Sequence, residues 1–313
     1  MDAPFRPNHG VSTEPGQLHL RCFRWRRRSS KLSPSELQTE TAQHFSVALL
    51  DHATKLDEAI RRMFDDMDKA FATIRDFDFQ NSLAFSVTSF LTEFDAIFTL
   101  NQDLLLERQY LTDNLAMLLY PKRTGWQIPG MEPIPMLPSL PLGALPTLGP
   151  MAPSKFAVEK NLQPYFKLHG SSNWIDRSSG RPMLVIGGNK PSAIARHEIL
   201  KWNHEQFKAY LSKPETRLMA IGYSFGDEHI NEALGEAGDR GTLRLFIIDP
   251  LGVDVLDKDR HYSFNMTTGA AGEVPGKLLT RYHAHLIGAS RRTLREIFGG
   301  DMVEHGKVMR FFA

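Results

Sequence analysis

The sequence predicts an α/β fold in which a parallel sheet is covered by helices on both faces. Two observations support this prediction. The chain has 313 residues, of which 42% are hydrophobic, enough for one large domain with a buried core. From residue 94 onward, short apolar runs alternate with polar turns and helical patterns. Continuous apolar strands that alternate with helices are typical of parallel sheets buried on both faces.

The predicted elements follow from these apolar runs and from the periodic stretches between them. We expect strands at residues 96–100, 165–168, 183–186, 218–221 and 243–248. Helices are predicted at residues 103–119, 193–211, 227–234 and 291–297. Because ligands of parallel sheets bind beyond the carboxyl ends of the strands, the residues after each strand are candidate site residues.

The first 32 residues differ from the rest of the chain. They contain prolines and a basic run from Arg24 to Arg28. We expect residues 1–32 to be a disordered leader, and a contact between the basic run and an anionic partner is the alternative. A folded domain is expected at residues 33–313.

A long helix is predicted near the start of this domain. Ser33, Pro34 and Glu36 form a helix-start signal, in which a capping residue precedes proline and glutamate. Apolar residues then recur in steps of three and four, which marks one face of a helix: Leu49, Ala53, Leu56, Ile60, Met63, Met67, Ala70 and Ile74.

Residues 121–153 contain nine prolines and almost no charge. Such a stretch is too long for an ordinary connection between elements. We interpret it as a proline-rich insertion that is either a flexible surface loop or a lid over the site. The lid reading rests on the apolar residues Trp126, Ile128, Met131, Ile134, Met136 and Leu137.

Composition restricts the class of protein. Lys and Arg number 37 and Asp and Glu number 36, a balance that argues against a dedicated nucleic-acid binder. A single cysteine, Cys22, excludes an internal disulfide and a cysteine-based zinc site, and it fits the reducing cytoplasm. The sequence contains no run of about 18 apolar residues, so no membrane span is predicted. The N-terminus has no apolar stretch typical of a secretion signal.

Four predicted strands end in polar residues that can contact a ligand. Asn101 follows the first strand and His169 the second, the fourth runs into residues 222–226 (GYSFG), and Asp249 follows the fifth. Glycines allow close approach of the backbone to a phosphate, and a helix start favours anions.

Residues 222–226 also fit the G-x-S-x-G pattern of a serine hydrolase, in which Ser224 would be the nucleophile. Asp249 and His283 or His285 follow in the order that such a triad requires. This reading is an alternative to a nucleotide site.

Three segments resemble the sirtuin-like (silent information regulator) superfamily. Residues 99–107 (TLNQDLLLE) are similar to its T-x-N-x-D-x-x-x-E stretch, and residues 167–171 (KLHGS) to its K-L-H-G-S stretch. Residues 221–230 (IGYSFGDEHI) resemble the I-G-Y-S-F-x-D-x-x-I segment of its prokaryotic branch. The resemblance covers roughly residues 94–298, and the three segments occur in the family's order. If the chain were a serine hydrolase, the similarity of the other two segments would be a coincidence.

The resemblance implies a Rossmann-like fold and a cytoplasmic, prokaryotic enzyme that hydrolyses NAD to nicotinamide and ADP-ribose, with members that act in anti-phage defence. Asn101 would orient the ribose and the attacking water, and His169 would act as the base. The other cofactor-binding residues that it implies are Asp103, Gly170, Gly222, Ser224, Phe225, Asp227 and Asp249. NAD is then the substrate, no metal is expected, and a homo-oligomer or an operon partner stays open.

Two departures from the family keep alternatives open. No G-A-G-x-S loop for the pyrophosphate precedes Asn101, which favours a module that binds or senses NAD or ADP-ribose without turnover. The zinc cysteines of the deacylase branch are absent, which argues against deacylation.

Purely structural roles are the other reading of several candidates. Asn101, Asp103 and Asp227 stand where helix-capping residues stand, and His169 suits a buried strand end. His197, His204 and His229 lie in predicted helices without metal-ligand spacing, so we expect surface or core roles for them.

Overall fold

A computed structural model describes residues 47–112, 115–135, 144–264 and 271–313, all within one compact unit, Leu32–Ala313. The predicted leader, its basic run and the helix-start signal at Ser33 lie outside the described residues. Within them the chain is a mixed α/β protein with parallel sheets and helices, as predicted.

Helix α1 spans Val47–Thr73 and carries the predicted apolar stripe. Leu56, Ile60 and Met67 on this stripe are half-buried, whereas Met63 is 48% exposed. The polar face of the helix holds it to the domain, because Asp68 forms an ion pair with Arg108 and the Phe71 carbonyl accepts a hydrogen bond from Gln109 at 2.7 Å. Helix α2, Val87–Thr92, follows and is buried on most of its surface.

Two three-stranded parallel sheets replace the single sheet that the sequence predicted. In the first, β1 (Ile97–Thr99) and β2 (Gly125–Gln127) flank β5 (Leu162–Lys167). In the second, β8 (Thr216–Ile221) and β12 (Leu286–Ser290) flank β9 (Leu243–Ile248). Phe98 and Leu168 from the first sheet share a core cluster with Leu245 and Ile247 from the second.

A third sheet is mixed and contains the segment for which the strand prediction was wrong. Its order is β3 (Met131–Pro133), β4 (Leu148–Pro150), β6 (Gly170–Ile175) and β7 (Pro182–Leu184). The predicted parallel strand at 183–186 is β7, which is short and runs antiparallel to β6.

Gly170 permits this departure from the predicted pattern. It has φ +77°, and a Cβ there would lie 1.9 Å from the Met183 carbonyl oxygen. The chain therefore enters a new strand directly after β5 where the sequence indicated only a turn.

In its described parts, the proline-rich insertion is part of the sheets. It supplies β2, β3 and β4, and its apolar residues Trp126, Ile128 and Met131 pack into two core clusters. The sequence did not indicate these strands, because strands of three residues leave almost no periodicity. Met136 and Leu137 lie outside the described residues.

Two predicted helices are each divided in two. Residues 103–119 contain α3 (Leu105–Gln109) and α4 (Leu115–Leu119), because Tyr110 leaves the helix to bury its ring and donate to Gln163 at 2.6 Å. The helix predicted at residues 193–211 is replaced by α5 (Lys190–Ala195), which begins earlier, and α6 (Glu198–Leu211), separated by His197 in an extended conformation.

The remaining helices lie around the second parallel sheet. Helix α7 spans Glu228–Asp239 and is longer than predicted. The helix predicted from residue 291 begins only at α9 (Leu294–Gly299), behind a Thr293–Glu296 capping box. The other elements are α8 (Lys277–Tyr282), α10 (Met302–Met309) and the hairpin of β10 (His261–Phe264) and β11 (Ala271–Val274). No helix in the described ranges has the length and apolar character to cross a bilayer.

Candidate nucleotide site and histidine cluster

The ends of β1 and β5 bring two predicted site residues to one edge. Thr99 pairs with Lys167 in the parallel register, so Asn101 and His169 each lie two residues beyond a paired position. The pairing continues past the strands, because the Leu168 amide donates to the Thr99 carbonyl at 2.9 Å. Asn101 is exposed, whereas only 3% of His169 is exposed.

The loop after β1 is fixed by contacts with the third sheet. The Gln102 side chain donates to the Val185 carbonyl at 2.7 Å. The backbone carbonyl of Gln102 accepts from the Ser172 amide at 2.9 Å. The Val185 amide donates to the His169 carbonyl at 3.0 Å. These bonds hold the backbone on both sides of Asn101 and His169, so the two residues belong to one braced edge.

A buried ion pair between Lys167 and Glu107 stabilises the same loop. Lys167, which is fully buried, contacts the Asp103 carbonyl and donates to a Glu107 carboxylate oxygen at 2.5 Å. The Tyr165 hydroxyl donates to the other Glu107 oxygen at 3.2 Å. We call Lys167, Glu107, Tyr165 and Asp103 the lysine network. The Asp103 carboxylate accepts from the Leu105 amide at 3.1 Å, so it closes the turn before α3, whose N-terminal flanking residue is Leu104.

His204 from α6 and His229 from α7 contact His169. The sequence analysis missed this cluster, because it assigned His204 and His229 separate surface or core roles. The Nε2 atoms of His169 and His229 lie 3.2 Å apart. The His204 ring lies 5.3 Å from that of His229, and its Nε2 lies 2.9 Å from the Leu168 carbonyl oxygen. We call His169, His204 and His229 the histidine cluster. His197 is not part of it and pairs with Asp176 at 3.4 Å.

Burial keeps the histidine cluster uncharged. Burial, with the positive charge of Lys190 as the second cause, lowers the pKa of His169 to about 3. Burial also lowers the pKa of His204 to about 4 and depresses the pKa of His229. All three imidazoles are therefore neutral near pH 7, and each neutral ring has one nitrogen with a free electron pair.

Asp227 lies beside the cluster and does not use its side chain as a helix cap. It occupies the position before α7, but its carboxylate makes no capping bond and forms an ion pair with Lys190. The Tyr223 hydroxyl donates to the Asp227 carbonyl at 3.2 Å and contacts Asn231 Oδ1 at 3.0 Å. The Tyr223 hydroxyl thereby restrains the backbone of Asp227 at the start of α7.

The glycine turn after β8 has a mixed character. Gly222 is exposed with φ +62°, and its amide donates to the Ile248 carbonyl at 2.8 Å. Phe225 has φ +50° and is only 4% exposed, with its ring 4.6 Å from that of Tyr223. The geometry therefore makes Phe225 a core residue, whereas Gly222 and Ser224 face solvent.

The serine hydrolase reading finds no support in this turn. A nucleophile elbow places the strained conformation on the serine, but here the positive φ values fall on Gly222 and Phe225. Among the described residues, no histidine makes a hydrogen bond to the Ser224 hydroxyl. The Asp249 carboxylate accepts from the Leu251 amide at 2.8 Å and closes its own turn at the end of β9.

Two residues beside His169 could have been recognised from the sequence. His229 lies inside the segment 221–230 that resembles the sirtuin-like family, and Asp227 was already a candidate. Lys190 and His204 had no comparable signal, because only the packing of α5 and α6 brings them near. Comparisons with protein-family models and with curated protein sequences find no match for this chain.

Proposed function

We propose that this chain is a sirtuin-like protein with a Rossmann-like nucleotide site that hydrolyses NAD. Water would replace nicotinamide on the ribose, releasing nicotinamide, ADP-ribose and a proton. The observation that carries the proposal is the β1–β5 register, which sets Asn101 and His169 equally far beyond paired residues at one edge. In parallel sheets this edge is where ligands bind.

Each residue at the edge has a role that suits its surroundings in this proposal. The exposed Asn101 amide would orient the ribose and the water, and Gly222 would allow the nucleotide close to the backbone. Ser224, Gly170 and Asp249 would line the same edge. The buried Phe225 and the turn-closing Asp103 would support the site without contacting NAD.

His169 would accept the proton, because its imidazole is neutral at pH 7. A base whose pKa is about 3 is weak, and efficient bases have a pKa near the working pH. The pyrophosphate of NAD is anionic, and a nearby negative charge raises the pKa of an imidazole. We therefore expect nucleotide binding to strengthen the base.

A second candidate function is NAD or ADP-ribose binding without turnover. The burial of His169 favours it, since a residue that is only 3% exposed offers little surface to a substrate. The first proposal also includes a cytoplasmic location and a role in anti-phage defence. Both of these rest on the resemblance of the three segments to the sirtuin-like superfamily.

The test is nicotinamide release from NAD by the full chain, quantified by chromatography. We expect His169→Ala to reduce the rate about 100-fold or more, the range for loss of a general base. His197→Ala is the matched control, because His197 is partly buried and has a lowered pKa but lies outside the cluster. Equal rates in the wild type and His169→Ala would overturn the mechanism. Calorimetric NAD binding with no nicotinamide release would establish the second candidate instead.

A further inference from the structure

Three donor groups beside the proposed nucleotide edge have the spacing of a metal site. The ligand atoms of His169, His229 and Asp227 all lie within 4.8 Å of one another. The two Nε2 atoms are 3.2 Å apart. Zinc binds imidazole nitrogen at about 2.0–2.1 Å, and a tetrahedron of that size separates neighbouring ligands by about 3.3 Å. The two imidazoles therefore already stand at the separation that one tetrahedral ion requires.

The chemistry of this donor set selects the class of metal. Neutral imidazole is a common ligand for zinc, copper and nickel, whereas calcium and magnesium prefer oxygen ligands. His169 and His229 meet through their Nε2 atoms alone, and a shared hydrogen bond between neutral rings leaves one nitrogen's electron pair directed at the other. An ion can take the place of that shared proton if both rings carry their remaining proton on Nδ1.

His204 supports the site without being a ligand. Its Nε2 contacts the Leu168 carbonyl at 2.9 Å, which occupies that nitrogen. Its ring packs 6.4 Å from the His169 ring and 5.3 Å from the His229 ring. It therefore restricts the orientation of both candidate ligands, as residues around metal ligands commonly do.

We propose that His169, His229 and Asp227 bind one divalent transition-metal ion, with Zn²⁺ as the representative ion. Three protein ligands leave a fourth position for water or another small ligand. Binding does not depend on the NAD chemistry proposed above. Because a metal ligand and a proton acceptor use the same imidazole, His169 cannot fill both roles at once.

Lys190 limits the affinity of this site and offers a sharp test of it. Its ammonium group forms an ion pair with Asp227, and 27% of its side chain is exposed. A cation must share the carboxylate with this positive charge or displace it. Removing the charge should therefore tighten metal binding, whereas a lysine with a purely structural role would have no such effect.

The experiment is calorimetric titration of the chelator-treated full chain with Zn²⁺, and with Mg²⁺ for comparison. We expect one Zn²⁺ per chain and no Mg²⁺ binding. His229→Ala and Asp227→Asn should each weaken Zn²⁺ binding about tenfold or more, and Lys190→Gln should tighten it about tenfold. His197→Ala should bind like the wild type. Circular dichroism of each variant establishes that it is folded.

A second measurement identifies the ligands directly. Co²⁺ bound in a four-coordinate site of nitrogen and oxygen should give visible absorption bands that His229→Ala loses and His197→Ala keeps. Failure of the wild type to bind Zn²⁺ would overturn the proposal, as would unchanged binding in both His229→Ala and Asp227→Asn. Neither titration measures NAD hydrolysis, so failure of this site and failure of the proposed function give separate results.

Discussion

Two buried polar groups at the end of β5 differ in how fully they are satisfied. Lys167 and His169 are two residues apart, and both are almost inaccessible to solvent. The Lys167 ammonium has two partners in the lysine network, the Asp103 backbone carbonyl and the Glu107 carboxylate. The three imidazoles of the histidine cluster share one contact between Nε2 atoms and one contact with a backbone carbonyl.

This difference separates a structural role from a functional one. A buried charge whose partners are complete stabilises one conformation, and removing a single partner leaves an unpaired charge. A group of neutral imidazoles, each with one nitrogen that can accept, contributes little to stability but can bind a ligand or accept a proton. The difference between the two groups is measurable as a difference in the free energy of unfolding of variants.

The largest effect is expected in the lysine network. Lys167→Met leaves the Glu107 carboxylate buried without its cation and should lower the free energy of unfolding by about 3–5 kcal/mol. Urea unfolding followed by circular dichroism measures this loss. The double variant Lys167→Met with Glu107→Leu removes both charges and should recover much of the stability. A loss below about 1 kcal/mol in the single variant would contradict a structural role for the pair.

Acidification is expected to act mainly on the histidine cluster. The pKa of His204 falls from 6.5 to about 4 on folding, so the unfolded chain binds more protons between these values. Stability is complete above pH 6.5 and declines as the pH falls towards 4, by about 3 kcal/mol for this one residue. Urea unfolding from pH 7 to 4 with a chelator present measures the decline. His204→Leu should show a shallower slope, and an equal slope would exclude His204 as a source.

The sequence predicted the parts of the fold and site that are local in the chain. Residues 218–221 are a continuous apolar run and residues 243–248 are apolar except for Arg244, and β8 and β9 include them. Asn101 and His169, just beyond β1 and β5, lie at the same end of the first parallel sheet. In each case a few neighbouring residues determine the outcome.

What the sequence did not predict depends on tertiary contacts. The division of the helix predicted at residues 103–119 follows from the burial of Tyr110 against Gln163, which is 53 residues away in the sequence. The proline-rich insertion forms short strands because β5 and the third sheet supply its partners. His204 and His229 meet His169 only through the packing of α6 and α7. For His204, no local pattern in the sequence carries this information.

A smaller effect is expected for His204→Leu at pH 7. The substitution removes the contact with the Leu168 carbonyl, and a lost hydrogen bond typically costs about 0.5–1.5 kcal/mol. Leucine keeps apolar contacts in a position that is mostly buried, which offsets part of this cost. We expect a net loss of about 1 kcal/mol in urea unfolding. A loss as large as that of Lys167→Met would mean that the histidine cluster is a structural network too.

The smallest effect is expected for His229→Leu at pH 7 with a chelator present. His229 contacts His169 through a single pair of nitrogens and is half-exposed on α7, where leucine is a good helix former. Functional polar groups often cost stability, so the free energy of unfolding should change by less than about 0.5 kcal/mol in either direction. Adding Zn²⁺ should then raise the thermal midpoint of the wild type but not that of His229→Leu, because an ion that binds only the folded state stabilises it. A loss of several kcal/mol without metal would erase the contrast with Lys167, since His229 would then be needed to build the fold.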